Sequence, residues 1–231
     1  EISVCDWSSD VCSSDLYVYG GRAMNFKEYK SKNSTHRIAH SEPLTSKILS
    51  EKLISWFPST PCEYVAVFIG TDRSTGDALG PLAGSSFLKM KPKHISIYGT
   101  LHNPVHAVNL QSHLEAIYKK HNNPFVIAID ACLGKSTSVG ELIAGVGPIK
   151  PGAALNKPLP LVGDVHITGV VNISGFMEYA VLQNTRLSLV SDMAHSIAHI
   201  LNCIDQQLTT ETVQPAVLIR SSSERPVKKL S

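Results

Sequence analysis

Short apolar runs alternating with amphipathic stretches predict an α/β protein: a three-layer sandwich with a mostly parallel central sheet flanked by helices. Two runs carry that prediction. Tyr64-Val-Ala-Val-Phe-Ile-Gly70 and Pro124-Phe-Val-Ile-Ala-Ile129 are strand-length and apolar almost throughout, as strands covered on both faces must be. A third observation connects them. Each run leads into a polar, glycine-containing turn that holds an aspartate, Asp77 after the first and Asp130 directly after the second. In open α/β sheets ligands bind in the crevice outside the carboxyl ends of the strands. Two carboxylates are therefore expected at the edge where such a fold does its chemistry.

The remaining elements follow in chain order. Ser41-Glu-Pro43 offers a helix start, with proline near the first helical position. Leu44, Ile48, Leu49, Leu53, Ile54 and Phe57 trace one face of that helix, and Pro58 and Pro61 stop it. After the first strand, residues 78–90 read as a helix carrying Leu79, Leu82, Phe87 and Leu88. Ile95–Tyr98 is a short strand, and Asn103-Pro104 reads as the cap and first position of a helix running to about residue 120. The strand of residues 125–129 follows. Residues 142–162, rich in glycine and proline, read as a long shaped loop around one extended stretch. Residues 165–171 form another strand, 175–183 a short helix and 187–206 a long one.

Four segments result: a leader at 1–23, a loose polar arm at 24–42, a single α/β domain at 43–208 and a basic, mobile tail at 209–231. The leader repeats Ser-Ser-Asp within five residues and resembles a sequencing adapter read as coding sequence. Tyr19-Gly-Gly-Arg-Ala-Met24 back-translates to a ribosome-binding site ahead of a start codon, so the biological chain is expected to begin at Met24.

Composition narrows the function classes. A net charge of +2 over 231 residues, with 17% charged residues, is too balanced for a nucleic-acid binder. The apolar stretches fall well short of the roughly 20 residues a membrane span needs. With Cys5 and Cys12 assigned to the leader, Cys62, Cys132 and Cys203 remain, widely spaced and without a C-x-x-C pair. That predicts neither a disulfide framework nor a zinc site, and a cytoplasmic protein.

The turns are recognisable. Gly70-Thr71-Asp-Arg-Ser-Thr75-Gly76-Asp77-Ala-Leu-Gly80 resembles the strand-to-helix turn of the bacterial spore germination protease, and Val126-Ile-Ala-Ile-Asp130-Ala its second motif. The stretch Ile149-Lys-Pro-Gly-Ala-Ala-Leu-Asn156-Lys157, followed by His166-Ile-Thr-Gly, is similar to the YyaC-type sporulation proteins. The likeness spans roughly residues 43–207. It implies a fold shared with hydrogenase-maturation proteases and a catalytic pair, Asp77 and Asp130. Gly70, Thr71, Thr75, Gly76, Gly80, Asn156, Lys157 and His102 are expected to line the site, His102 from its place just after a strand. In the hydrogenase-maturation relatives, acids at these two places bind nickel together with a histidine. Residues 172–175 here hold no histidine, so no metal and no cofactor is expected. Thr71 and Gly76 depart from the Asn and Pro of the related turns.

The resemblance implies a spore-related peptidase in the cytoplasm of the spore-forming cell or forespore, with a protein or peptide substrate such as the small acid-soluble spore proteins. It implies no nucleic-acid or membrane partner, and a homo-oligomer is compatible with it. The alternative is a catalytically silent sporulation protein that binds a peptide or metal in the same cleft. The chemistry favours hydrolysis, because two close carboxyls share one proton and so supply both a base and an acid. Helix capping competes as a role for Asp77, and bonding to neighbouring amides for Asp130. His195 and His199 have the i, i+4 spacing of a metal pair, but fall opposite the apolar face of Val190, Met193, Ala194, Ile197, Leu201 and Ile204.

Overall fold

The two apolar runs become neighbouring parallel strands. The structure, a computed structural model, describes residues 18–19, 22–23, 35–60, 62–151 and 159–213, with side chains described from residue 35 to residue 208. Strands β1 (Val18–Tyr19) and β2 (Arg22–Ala23) pair antiparallel with each other. A six-stranded sheet holds β3 (Thr35–Ala39), β4 (Tyr64–Phe68), β5 (Ile95–Tyr98), β6 (Phe125–Gly134), β7 (Glu141–Val146) and β8 (Val165–Ile173), in the order β3-β7-β8-β6-β4-β5. The pairs β4–β5, β4–β6 and β6–β8 are parallel, while β7 runs antiparallel to both of its neighbours.

Helices α1 (Thr45–Ile54), α2 (Leu79–Lys89) and α5 (Leu187–Val213) cover one face. There Leu49, Leu53, Phe87, Val190, Ile197 and Leu201 pack on Ala66, Phe68, Ile127, Ile129, Leu142 and Ile167. Helix α3 (Leu110–Lys120) covers the other, setting Leu110, Leu114 and Ile117 on Val65, Val67, Val126 and Ala128. The short helix α4 (Glu178–Gln183) lies against β8. Successive strand residues feed opposite layers, as the two-residue period of a pleated strand requires. The three-layer α/β class read from the sequence is the fold observed. Among the described residues no helix is long and apolar enough to cross a membrane.

Four expectations need correction. The arm of residues 24–42 is not loose throughout: residues 35–39 form β3 and pair in register with β7, from Thr35 opposite Gly145 to Ala39 opposite Glu141. The glycine-rich stretch from 142 likewise opens as strand, since β7 lies between β3 and β8. Asn103-Pro104 does not start a helix. Val105 bridges Ile69 instead, and α3 begins at Leu110, after the Asn109 side chain accepts the His106 N–H at 2.8 Å. At the other end α5 runs on to Val213, past the expected start of the tail.

Candidate active site at the carboxyl edge of the sheet

The site is built where β4 ends and β6 continues. Ile69 N–H donates to Ile129 O at 2.7 Å, the last bond joining the two strands. The chain then leaves the sheet at Gly70, whose N–H bonds Val105 O at 2.8 Å. Gly70 has φ +144°, and an added Cβ would stand 2.0 Å from Asp77 O, so only glycine fits there. A compact turn follows, held by Thr71 N–H to Asp77 O at 3.1 Å and Ala78 N–H to Ser74 O at 3.0 Å. Gly76 N–H reaches across to Leu182 O at the end of α4, at 2.8 Å. Helix α2 then starts, pressed so close to β4 that a Cβ on Gly80 would meet Ile69 O at 2.1 Å.

This geometry delivers two carboxyls to one place. Asp77 is half-buried at the end of the turn. Asp130 is the residue of β6 directly beyond the last bond to β4, and lies opposite Thr168 of β8. Its side chain accepts one hydrogen bond, from Ala131 N–H to Oδ1 at 2.8 Å. Loss of water around that carboxyl pushes its pKa up to about 8, the Ala131 N–H opposes the rise, and the negative charge of Asp77 adds to it. The two side chains therefore stand within electrostatic reach of each other. Burial also raises the Asp77 pKa, opposed by the Ser74 hydroxyl.

The other expected residues divide. Thr71 and Thr75 lie in the turn, Thr71 Oγ1 accepting the Arg73 N–H at 3.3 Å and Thr75 O accepting the Ala78 N–H at 3.3 Å. Gly76 and Gly80 do not offer a cradle for substrate backbone. The space beside them is filled by the protein itself, by Leu182 and Thr185 at Gly76 and by the Ile69 backbone at Gly80. They are packing glycines that fix where Asp77 sits. His102 is exposed in the turn after β5 and makes no hydrogen bond or ion pair with either aspartate among the described residues. Asn156 and Lys157 lie outside the described residues. Nor does Asp77 cap α2: the cap position is Ala78, which has no side-chain bond to give.

Sequence reasoning missed Ser74. It is 4% exposed and stands in the same turn as Asp77. A serine between Arg73 and Thr75 reads as surface, although it is buried. Residues 37–200, both aspartates and Ser74 included, match the family model described as Protein of unknown function (DUF1256). The chain belongs to that family. It is 58% identical over 142 residues to the uncharacterized protein YyaC of Bacillus subtilis (strain 168), an alignment covering 62% of this chain and 69% of that one. Among solved structures it is similar to the NiFe hydrogenase maturation protease HycI from Thermococcus kodakarensis KOD1. That similarity has a TM-score of 0.44 and 18% identity, over 64% of this chain and 95% of the other. So loose a likeness carries no argument about activity.

Among the described residues no three His, Cys, Asp or Glu side chains converge as metal ligands, whereas a catalytic zinc, for example, takes three protein ligands. His195 and His199 are exposed on α5, with His195 Nδ1 against Ser191 O at 2.8 Å. His166, held low in pKa by burial, donates Nδ1–H to Gly147 O at 2.9 Å, a cross-strand role.

Proposed function

We propose that the protein is a peptidase in which Asp77 and Asp130 act as a pair on a spore-related protein. The observation that supports this most is a carboxyl that keeps its proton to about pH 8 beside a second, less enclosed carboxyl. Two neighbouring carboxyls of which one is protonated and one ionised supply an acid and a base at the same pH. Ionised Asp77 takes a proton from water as the water oxygen attacks the peptide carbonyl. Protonated Asp130 gives its proton to the departing nitrogen as the C–N bond breaks. Return of the proton from Asp77 to Asp130 restores the starting state. The resemblance of both turns to the spore germination protease points the substrate toward small acid-soluble spore proteins.

The test is cleavage of such proteins by the full chain across pH. Asp77→Asn and Asp130→Asn should each lower kcat/KM by about 10²–10⁴-fold, the usual worth of general acid–base help. Activity unchanged in both variants removes the mechanism. A wild-type protein that binds the substrate without cutting it turns the reading into a silent peptide binder.

A further inference from the structure

One side chain near the pair has no obvious structural reason to be polar. The Ser74 Oγ is sealed from solvent and has no well-formed hydrogen bond among the described residues. Buried hydroxyls are normally bonded, and leaving one unpaired costs free energy. Alanine would fill this position without that penalty. The turn, however, sets Ser74 close to Asp77. Ala78 N–H bonds Ser74 O at 3.0 Å and Thr71 N–H bonds Asp77 O at 3.1 Å, so Ser74 and Asp77 share one tight loop, three residues apart. Their side chains interact: the hydroxyl opposes the rise in Asp77 proton affinity that burial causes. The contact falls short of a formed bond, as catalytic hydrogen bonds often do before substrate closes the site.

On the other side of the pair, Ala131 N–H occupies Asp130 Oδ1 and leaves the second oxygen to carry a proton. From this arrangement we infer that Ser74 is a positioning residue that divides the roles of the two aspartates: its hydroxyl holds the negative charge on Asp77, and the shared proton stays on Asp130. This rests on the peptidase reading. Being buried, Ser74 acts through Asp77 rather than on substrate. From the other packed elements, the titratable group that faces Asp77 is Asp130. Asp72 and Arg73 in its own turn, His102 and His106 in the loop after β5, Glu178 on α4 and Arg186 before α5 form no ion pair or hydrogen bond with it among the described residues.

The test combines the pH profile of kcat/KM with carbon-13 NMR titration of the aspartate carboxyls, both on the full chain. Ser74→Ala should move the acid limb upward by about one pH unit, as expected for losing a hydrogen bond to a charged group. That is about tenfold lower kcat/KM below the limb, with the curves converging above it. Ser74→Thr, which keeps the hydroxyl, should leave the limb in place. A lower melting temperature with an unmoved limb would show a packing role only and overturn the inference. Should the wild type cleave nothing, the peptidase reading fails, but the titration still decides. An Asp77 midpoint that rises in Ser74→Ala supports the role of Ser74, and an unmoved one overturns it. If Ser74→Ala does not fold, the isosteric Ser74→Cys, with its weak S–H donor, is read in the same way.

Discussion

The two edges of the sheet use the same side chain in opposite ways. At the amino edge carboxylates accept backbone N–H groups where strands begin. Asp205, 4% exposed on α5, accepts N–H bonds from Lys93, His94 and Ile95 at 2.9, 2.8 and 3.0 Å and so ties α5 to the start of β5. Asp164 takes Val126 N–H at 2.8 Å where β6 begins. Glu63 takes Asn122 N–H at 3.0 Å and contacts His121 Nδ1 at 2.5 Å where β4 begins. At the carboxyl edge Asp130 has, among the described residues, a single N–H for its carboxyl, and a second acid within electrostatic reach. Asp205 joins two elements through its backbone donors, whereas Asp130, with little to offset its burial, holds a proton more tightly than an ordinary carboxyl.

The largest loss of stability that sharpens this contrast belongs to Asp205. Asp205→Ala leaves three backbone N–H groups without their acceptor, and should cost about 3 kcal/mol or more in urea denaturation. A loss under about 0.5 kcal/mol would mean that water replaces the carboxylate and that the amino edge is no more committed than the other. Next is the packing that places Asp77. Gly80→Ala pushes a Cβ against Ile69 O and should cost about 1–3 kcal/mol, with cleavage lost beyond what the stability change explains.

The fold and the site were legible in the sequence to different depths. Strands β4 and β6 announce themselves because both faces of each are covered, which demands unbroken apolar runs. Asp77 and Asp130 follow because they stand where those runs stop. Strand β3 is hidden, since an edge strand with residues such as Thr35, His36 and Arg37 carries no apolar signature. Strand β7 is hidden by its setting, because Gly140, Gly145 and Gly147 give Glu141–Val146 the texture of a loop. The false helix start at Asn103-Pro104 has the right cap chemistry, overridden by the tertiary bridge from Val105 to Ile69. Ser74 was invisible for a related reason. It lies in a polar turn, and no local pattern encodes its burial.

A third effect grows with pH and reverses sign between the edges. The Asp130 pKa is raised on folding, so the folded state binds the proton more tightly and stability falls as pH rises from about 4 toward about 8. Asp130→Asn should therefore match wild type below pH 4 and gain on it with rising pH. The gain is at most about 1.4 kcal/mol per pH unit within that window, read from urea midpoints. Glu63 behaves oppositely. Its pKa is lowered, first by the His121 side chain and then by Asn122 N–H, so its contribution is present above the ordinary carboxylate range and fades as pH falls through the folded value. Glu63→Gln should give the smallest change of the four, a slight drop in melting temperature at pH 7 that disappears in acid. A pH-independent drop would assign Glu63 to packing alone.

The most direct measurement is a carbon-13 titration of the aspartate carboxyls in the full chain and in Asp77→Asn. The account predicts an Asp130 midpoint near 8 that falls when the neighbouring charge is removed. An Asp130 that titrates in the ordinary carboxylate range, indifferent to residue 77, would contradict it.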